Sequence, residues 1–127
     1  MVRRNLFTLM LIMLVVPLCA LAATPDQFRV RSTADLVEIC STPASDSMYA
    51  AAMGFCHGFG VGAYQYYRAS VSGPDGKPFV CLSDPPPSRT EGLQMFVAWA
   101  RENPQYMGEP AVETLFRWLV AKWPCRK

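Results

Sequence analysis

A single histidine, His57, leaves little from which to build a metal centre or a general-base site. No two cysteines stand at Cys-x₂₋₄-Cys spacing, so the usual closed zinc sets cannot be assembled either. There is no Ser/His/Asp order and no G-x-G-x-x-G or G-x₄-G-K-[ST] loop. These absences argue against an enzyme, a resident metal and a nucleotide or other cofactor. Period-2 hydrophobic alternation is also missing, beyond the four residues "FVCL" at 79–82, which excludes a sheet-based fold.

Charge excess is scarce as well. The formal net charge is +2, and Arg3 and Arg4 account for all of it. They precede an almost wholly apolar run over residues 6–21, followed by Ala20-Leu21-Ala22, with small residues where signal peptidase requires them. Residues 1–22 therefore read as a secretory signal, with cleavage expected after Ala22 or Ala23. Pro17 interrupts the run, and Cys19 follows Leu18, where a lipobox needs Gly, Ala or Ser. The mature chain then carries ten basic and ten acidic residues. A neutral chain without a basic run gives no footprint for nucleic acid or for an anionic membrane after signal cleavage.

Cleavage also lowers the cysteine count from five to four: Cys40, Cys56, Cys81 and Cys125. An even number in a short exported chain reads as two disulfides, and four cysteines allow three pairings. Reach favours one of them. A helix continuing about 14 residues beyond Cys56 extends roughly 21 Å, and an extended return through residues 73–81 can span as much. The preferred pairs are therefore Cys56–Cys81 and Cys40–Cys125.

What the mature sequence does contain is helix punctuation. A leader over 23–32 precedes a domain over 33–127. Ser32 or Thr33 caps a short helix over 34–40, and a proline-free stretch over 46–70 suits a long one. The loop "SGPDGKP" (72–78), the extended piece "FVCL" and the connector "SDPPPS" (83–88) follow. Ser88-Arg89-Thr90-Glu91 is a capping box, and Leu93, Phe96, Val97 and Ala100 form one apolar stripe behind it. Asn103-Pro104 stops that helix. Pro110 opens the last one, whose 3.6-residue period runs through Val112, Leu115, Phe116, Leu119, Val120 and Trp123 until Pro124 ends it. The fold class is all-α: four helices with a short extended segment before the third.

The segment "GFCHGFGVGAYQYY" (54–67) draws attention as a site and fails as one. Cys56 and His57 are consecutive, so on a helix their side chains diverge by about 100° and cannot share a proton. Gly54, Gly58 and Gly62 recur at i, i+4 and i+8, and each costs about 1 kcal/mol relative to alanine in a helix interior. Close approach of another segment along a side-chain-free ridge would offset that cost. These glycines, with Pro104 and Pro124, are read as structural residues.

In this order, "FCHGFGVGAYQYY", "FVCL" and "ENPQYMGEPAVETLFRWLVAKWPC" resemble the Rap/Tai family of type VI secretion immunity proteins. The family run is a Cys-x-Gly-[Tyr/Phe]-x-x-Gly helix, a Phe-Cys-x-Pro strand, a helix closed by His/Asn-Pro, and a terminal Phe-Pro-Cys. Cys56, Gly58, Phe59 and Gly62 match the first, Cys81 the second, Pro104 the third, and Pro124-Cys125 the last. Ser83 departs where proline is common, and Trp123 replaces phenylalanine. The resemblance implies a small, helical, disulfide-bonded periplasmic protein, often a homodimer, that binds and inhibits a secreted peptidoglycan amidase without catalysis. The loops 72–78 and 83–88, with Asp75, Lys77, Asp84 and Arg89, are the candidate contacts. An acid-stress chaperone of the HdeA type, or an orphan binding domain, is the alternative.

Overall fold

The computed structural model describes residues 24–126, so the expected signal segment and its cleavage point lie outside the described residues. Four α-helices follow one another: α1 (Thr33–Cys40), α2 (Tyr49–Ser70), α3 (Arg89–Glu102) and α4 (Ala111–Lys122). Among the described residues there is no named strand, and no helix is long and apolar enough to cross a membrane.

Each helix start has an identifiable chemical cause. Ser32 caps α1 by accepting from the Asp35 amide, and the Asp35 carboxylate takes the Ser32 amide in return. That leaves Thr33 free to turn inward, where its hydroxyl donates to the Thr114 hydroxyl at 2.8 Å and to the Glu109 carbonyl at 3.1 Å. The Thr33 and Ala34 amides donate to the carbonyls of Glu109 and Met107. These first-turn amides, which have no partner within the helix, are thus satisfied by a distant loop, which ties α1 to the entrance of α4. Helix α2 starts at Tyr49, three residues later than the absence of proline suggests. Asp46 holds the preceding residues in a turn, its carboxylate accepting from the Met48 amide and its carbonyl from the Tyr49 amide. The Ser88–Glu91 box starts α3 as expected, and Asn103-Pro104 ends it with a 3₁₀ turn over Pro104–Tyr106.

Helix α1 is short and central. It packs on each of the other three helices, and Leu36, Val37, Ile39 and Cys40 are buried. The α3 stripe points where its period placed it: Phe96, Val97 and Ala100 are buried, with Leu93 packed at the margin. The α4 stripe is rotated from the expected one. Trp118 is buried edge-on to Phe96, with ring centroids 5.6 Å apart, while Val112 and Val120 are 44% and 38% exposed. Thr114, polar and so left out of any apolar stripe, takes an inward position because Thr33 satisfies its hydroxyl. The leader contributes too, since a 3₁₀ turn over Gln27–Arg29 sets Phe28 against Phe55 at 5.5 Å.

Two expectations about α2 need correction. The disulfides are Cys40–Cys56 and Cys81–Cys125, not Cys56–Cys81 and Cys40–Cys125. The chain leaving α2 returns only as far as Tyr67, near the helix end, and so never comes back alongside Cys56. The glycine ridge is also not a packing ridge. Helix α2 is continuous, but Gly54, Gly58 and Gly62 are exposed, and a Cβ placed on any of them meets no atom within 4 Å. Cys56 turns inward toward Cys40, and residues two positions away on a helix point about 200° from it. Gly54 and Gly58 therefore face out.

Candidate interaction surface

The segment between α2 and α3 holds three of the four candidate contact residues, Arg89 opens α3 just after it, and the segment's centre is fastened from both sides. Toward the C-terminus, Val80 and Pro124 form an antiparallel bridge. The Cys81 amide donates to the Trp123 carbonyl at 2.9 Å, and the Cys125 amide to the Phe79 carbonyl at 3.3 Å. The Cys81–Cys125 disulfide closes the same contact covalently. A bridge of this length leaves the Val80 amide and carbonyl facing away from Pro124, and Tyr67 meets them. The Tyr67 hydroxyl accepts from the Phe79 and Val80 amides, both at 2.8 Å, and donates weakly to the Val80 carbonyl at 3.4 Å. One phenol on α2 thus stands in for a neighbouring strand. Its ring is itself buried, packed between Phe79 and Phe116 at 4.6 and 5.3 Å.

The loops on either side of this anchor project into solvent. Asp75 and Lys77 lie in 72–78, Asp84 in 83–88, and Arg89 at the first position of α3; all four are exposed. None of the four enters the ion pairs seen among the described residues, which join Asp26 to Arg29 and Arg31, and Glu109 to Arg117. The 72–78 loop is turned tightly on itself. The Gly76 amide donates to the Gly73 carbonyl at 2.9 Å, and a Cβ at Gly76 would stand 2.0 Å from the Val71 carbonyl oxygen. Here, unlike in α2, only glycine fits. Phe79, between the two loops, is 48% exposed and adds an apolar element to the charged rim.

Two groups elsewhere have shifted pKa values. The Glu91 carboxyl is held below the ordinary carboxylate value, first by the Ser88 hydroxyl and then by the Ser88 backbone amide. The Arg117 guanidinium is raised by its hydrogen bonds to Glu109 and by that carboxylate's charge. Both act within helix caps and turns. Among the described residues, no group of three or more His, Cys, Asp or Glu could hold a metal ion. His57 lies half-buried on α2, and its Nε2 is buried with no protein partner.

The family model for Rap1a immunity proteins matches residues 32–125, which takes in all four helices and both disulfides. The chain belongs to the Rap1a immunity family. No curated protein and no solved structure matches it significantly. Within this Rap1a domain the motif residues are framework. Cys56 and Cys81 are in disulfides, Pro104 starts the turn after α3, and Pro124 pairs with Val80. Tyr67, which holds the loop-bearing segment, was not singled out by sequence reasoning. The available signal was its spacing of three from Tyr64 and four from Ala63 on the inward face of α2, opposite the glycines.

Proposed function

We propose that the chain is a non-catalytic periplasmic immunity protein that binds and blocks a secreted peptidoglycan amidase of a type VI secretion system. The observation that carries this reading is the Rap1a family match over residues 32–125. The fold supports it in physical terms. A protein that blocks another by occlusion gains affinity from loops already held in their bound shape. The 72–78 and 83–88 loops flank a segment fixed by a bridge, a disulfide and the Tyr67 hydroxyl. Asp75, Lys77 and Asp84 on those loops and Arg89 at the start of α3 are the proposed contacts, with Phe79 between the loops as an apolar anchor. The two disulfides suit an oxidising compartment, consistent with export.

The test is co-purification of the mature chain with small secreted amidases and measurement of their wall-cleaving activity. A cognate amidase should bind and lose activity, and the double variant Asp75→Lys, Lys77→Asp should weaken binding at unchanged stability. If no amidase is inhibited while the chain captures another class of secreted effector, the amidase assignment is wrong. A homodimer belongs to the same reading. The outward face bearing Gly54, Gly58 and Gly62 allows two copies of α2 to approach closely, and light scattering across a concentration series measures it.

A further inference from the structure

Helices α2, α3 and α4 enclose a partly open cavity of about 280 Å³. Its walls are almost entirely apolar, with Phe59, Tyr64, Leu93, Phe96, Trp118 and Trp123 among them. Protein interiors are normally filled to crystal-like density, and a space of this size between packed helices departs from that rule. Two residues keep it open. Gly60 on α2 and Gly92 on α3 both line it, and a Cβ built on either meets no atom within 4 Å. Nothing in the packing requires glycine at these helical positions, where a larger side chain would fill the space and favour the helix.

His57, Gln65 and Arg89 are the polar residues beside this apolar volume. His57 lines it through its ring, while its Nε2 is itself buried. Arg89 is the one formally charged side chain in the lining; it is exposed and takes no part in the ion pairs among the described residues. An apolar enclosure with a few polar groups and a single cation is complementary to a small apolar anion. We propose that this cavity binds a small carboxylate with an aromatic or branched aliphatic body. The body sits among the rings and the carboxylate faces Arg89. This inference does not depend on the amidase reading.

The experiment is a titration of the mature, disulfide-bonded chain with 3-phenylpropionate. Trp118 and Trp123 report through their fluorescence, and the chain's single histidine gives an unambiguous ¹⁵N signal for His57. Saturable binding with a dissociation constant below about 1 mM is expected, together with a shift of the His57 Nε2 resonance. Gly92→Leu and Gly60→Leu, each filling the space, should abolish binding while the melting temperature is kept. Arg89→Gln, or replacing the ligand by its neutral amide, should weaken binding about tenfold. No saturation up to 10 mM, or undiminished binding in a folded Gly92→Leu or Gly60→Leu variant, overturns the proposal. So does equal binding of 3-phenylpropylamine, which inverts the charge.

Discussion

Replacing Tyr67 by phenylalanine removes one oxygen atom and tests the central anchor of the loop-bearing segment. The ring stays, so its packing against Phe79 and Phe116 is retained and no cavity forms. What is lost is the acceptor for two amides. The Val80 amide belongs to a residue only 3% exposed and would be stranded in the interior. The Phe79 amide is only part-buried, so water can replace part of its bond. A buried donor left unpaired costs about 1–3 kcal/mol, and the half-exposed one less, giving about 2–3 kcal/mol together. For a domain of this size each kcal/mol moves the melting temperature by about 4–8 °C, so Tyr67→Phe should melt about 10–20 °C lower. Thermal unfolding followed by circular dichroism measures this directly, and hydrogen exchange should show faster exchange at Phe79, Val80 and Cys81. A drop of less than 3 °C with unchanged exchange would refute the anchoring role. The substitution should also weaken any partner binding through the flanking loops more than the stability loss alone requires.

The outward glycines of α2 give an opposite expectation. Gly54→Ala, Gly58→Ala and Gly62→Ala should each stabilise the monomer by up to about 1 kcal/mol in urea titrations, and destabilisation would mean that another chain covers that face. Removing the disulfides as pairs should be unequal, since the bridged separations are 16 and 44 residues. Loop entropy gives about 3 kcal/mol for Cys40/Cys56→Ala and about 4 kcal/mol for Cys81/Cys125→Ala, and non-reducing peptide mapping should recover only those two pairs. The Glu91 cap sets an acid-side dependence. Because its folded pKa is lowered, its contribution is present above the ordinary carboxylate range and lost as pH falls through the folded value. The stability gap between the native chain and Glu91→Gln, measured by melting, should therefore be widest near neutrality and close as the pH falls below the ordinary carboxylate range. A gap that stays constant with pH would rule out the capping carboxylate as its source.

The elements that sequence reading located best are those whose causes are local. Ser88 and Glu91 satisfy each other across three residues, so α3 announces its own start. The pairing of cysteines was not legible because it depends on where a loop returns, and that return is decided by Tyr67 receiving two amides. Spacing correctly put Gly54, Gly58 and Gly62 on one face but could not say which way the face turned. Cys56 offered that answer, since a cross-linked cysteine points toward its partner and Gly58 lies two residues away. In α4, Trp118 displaced the expected stripe because Thr114 could turn inward, and its partner Thr33 is 81 residues distant in sequence. Of the candidate surface, the exposed loops were readable from their proline and glycine content, whereas the cavity beside His57 was not. It arises from what Gly60 and Gly92 fail to fill across two helices.

The order of the cross-links bears on how the chain matures. Cys40 joins Cys56 and Cys81 joins Cys125, so among the described residues the cysteines pair in the order they occur and neither loop encloses the other. A polypeptide delivered across a membrane N-terminus first presents its thiols in that same sequence. An oxidase acting on thiols as they emerge makes the native pairs directly, with no mispaired species to be reshuffled by thiol exchange. Maturation of such a chain calls for an oxidant but not for a disulfide isomerase.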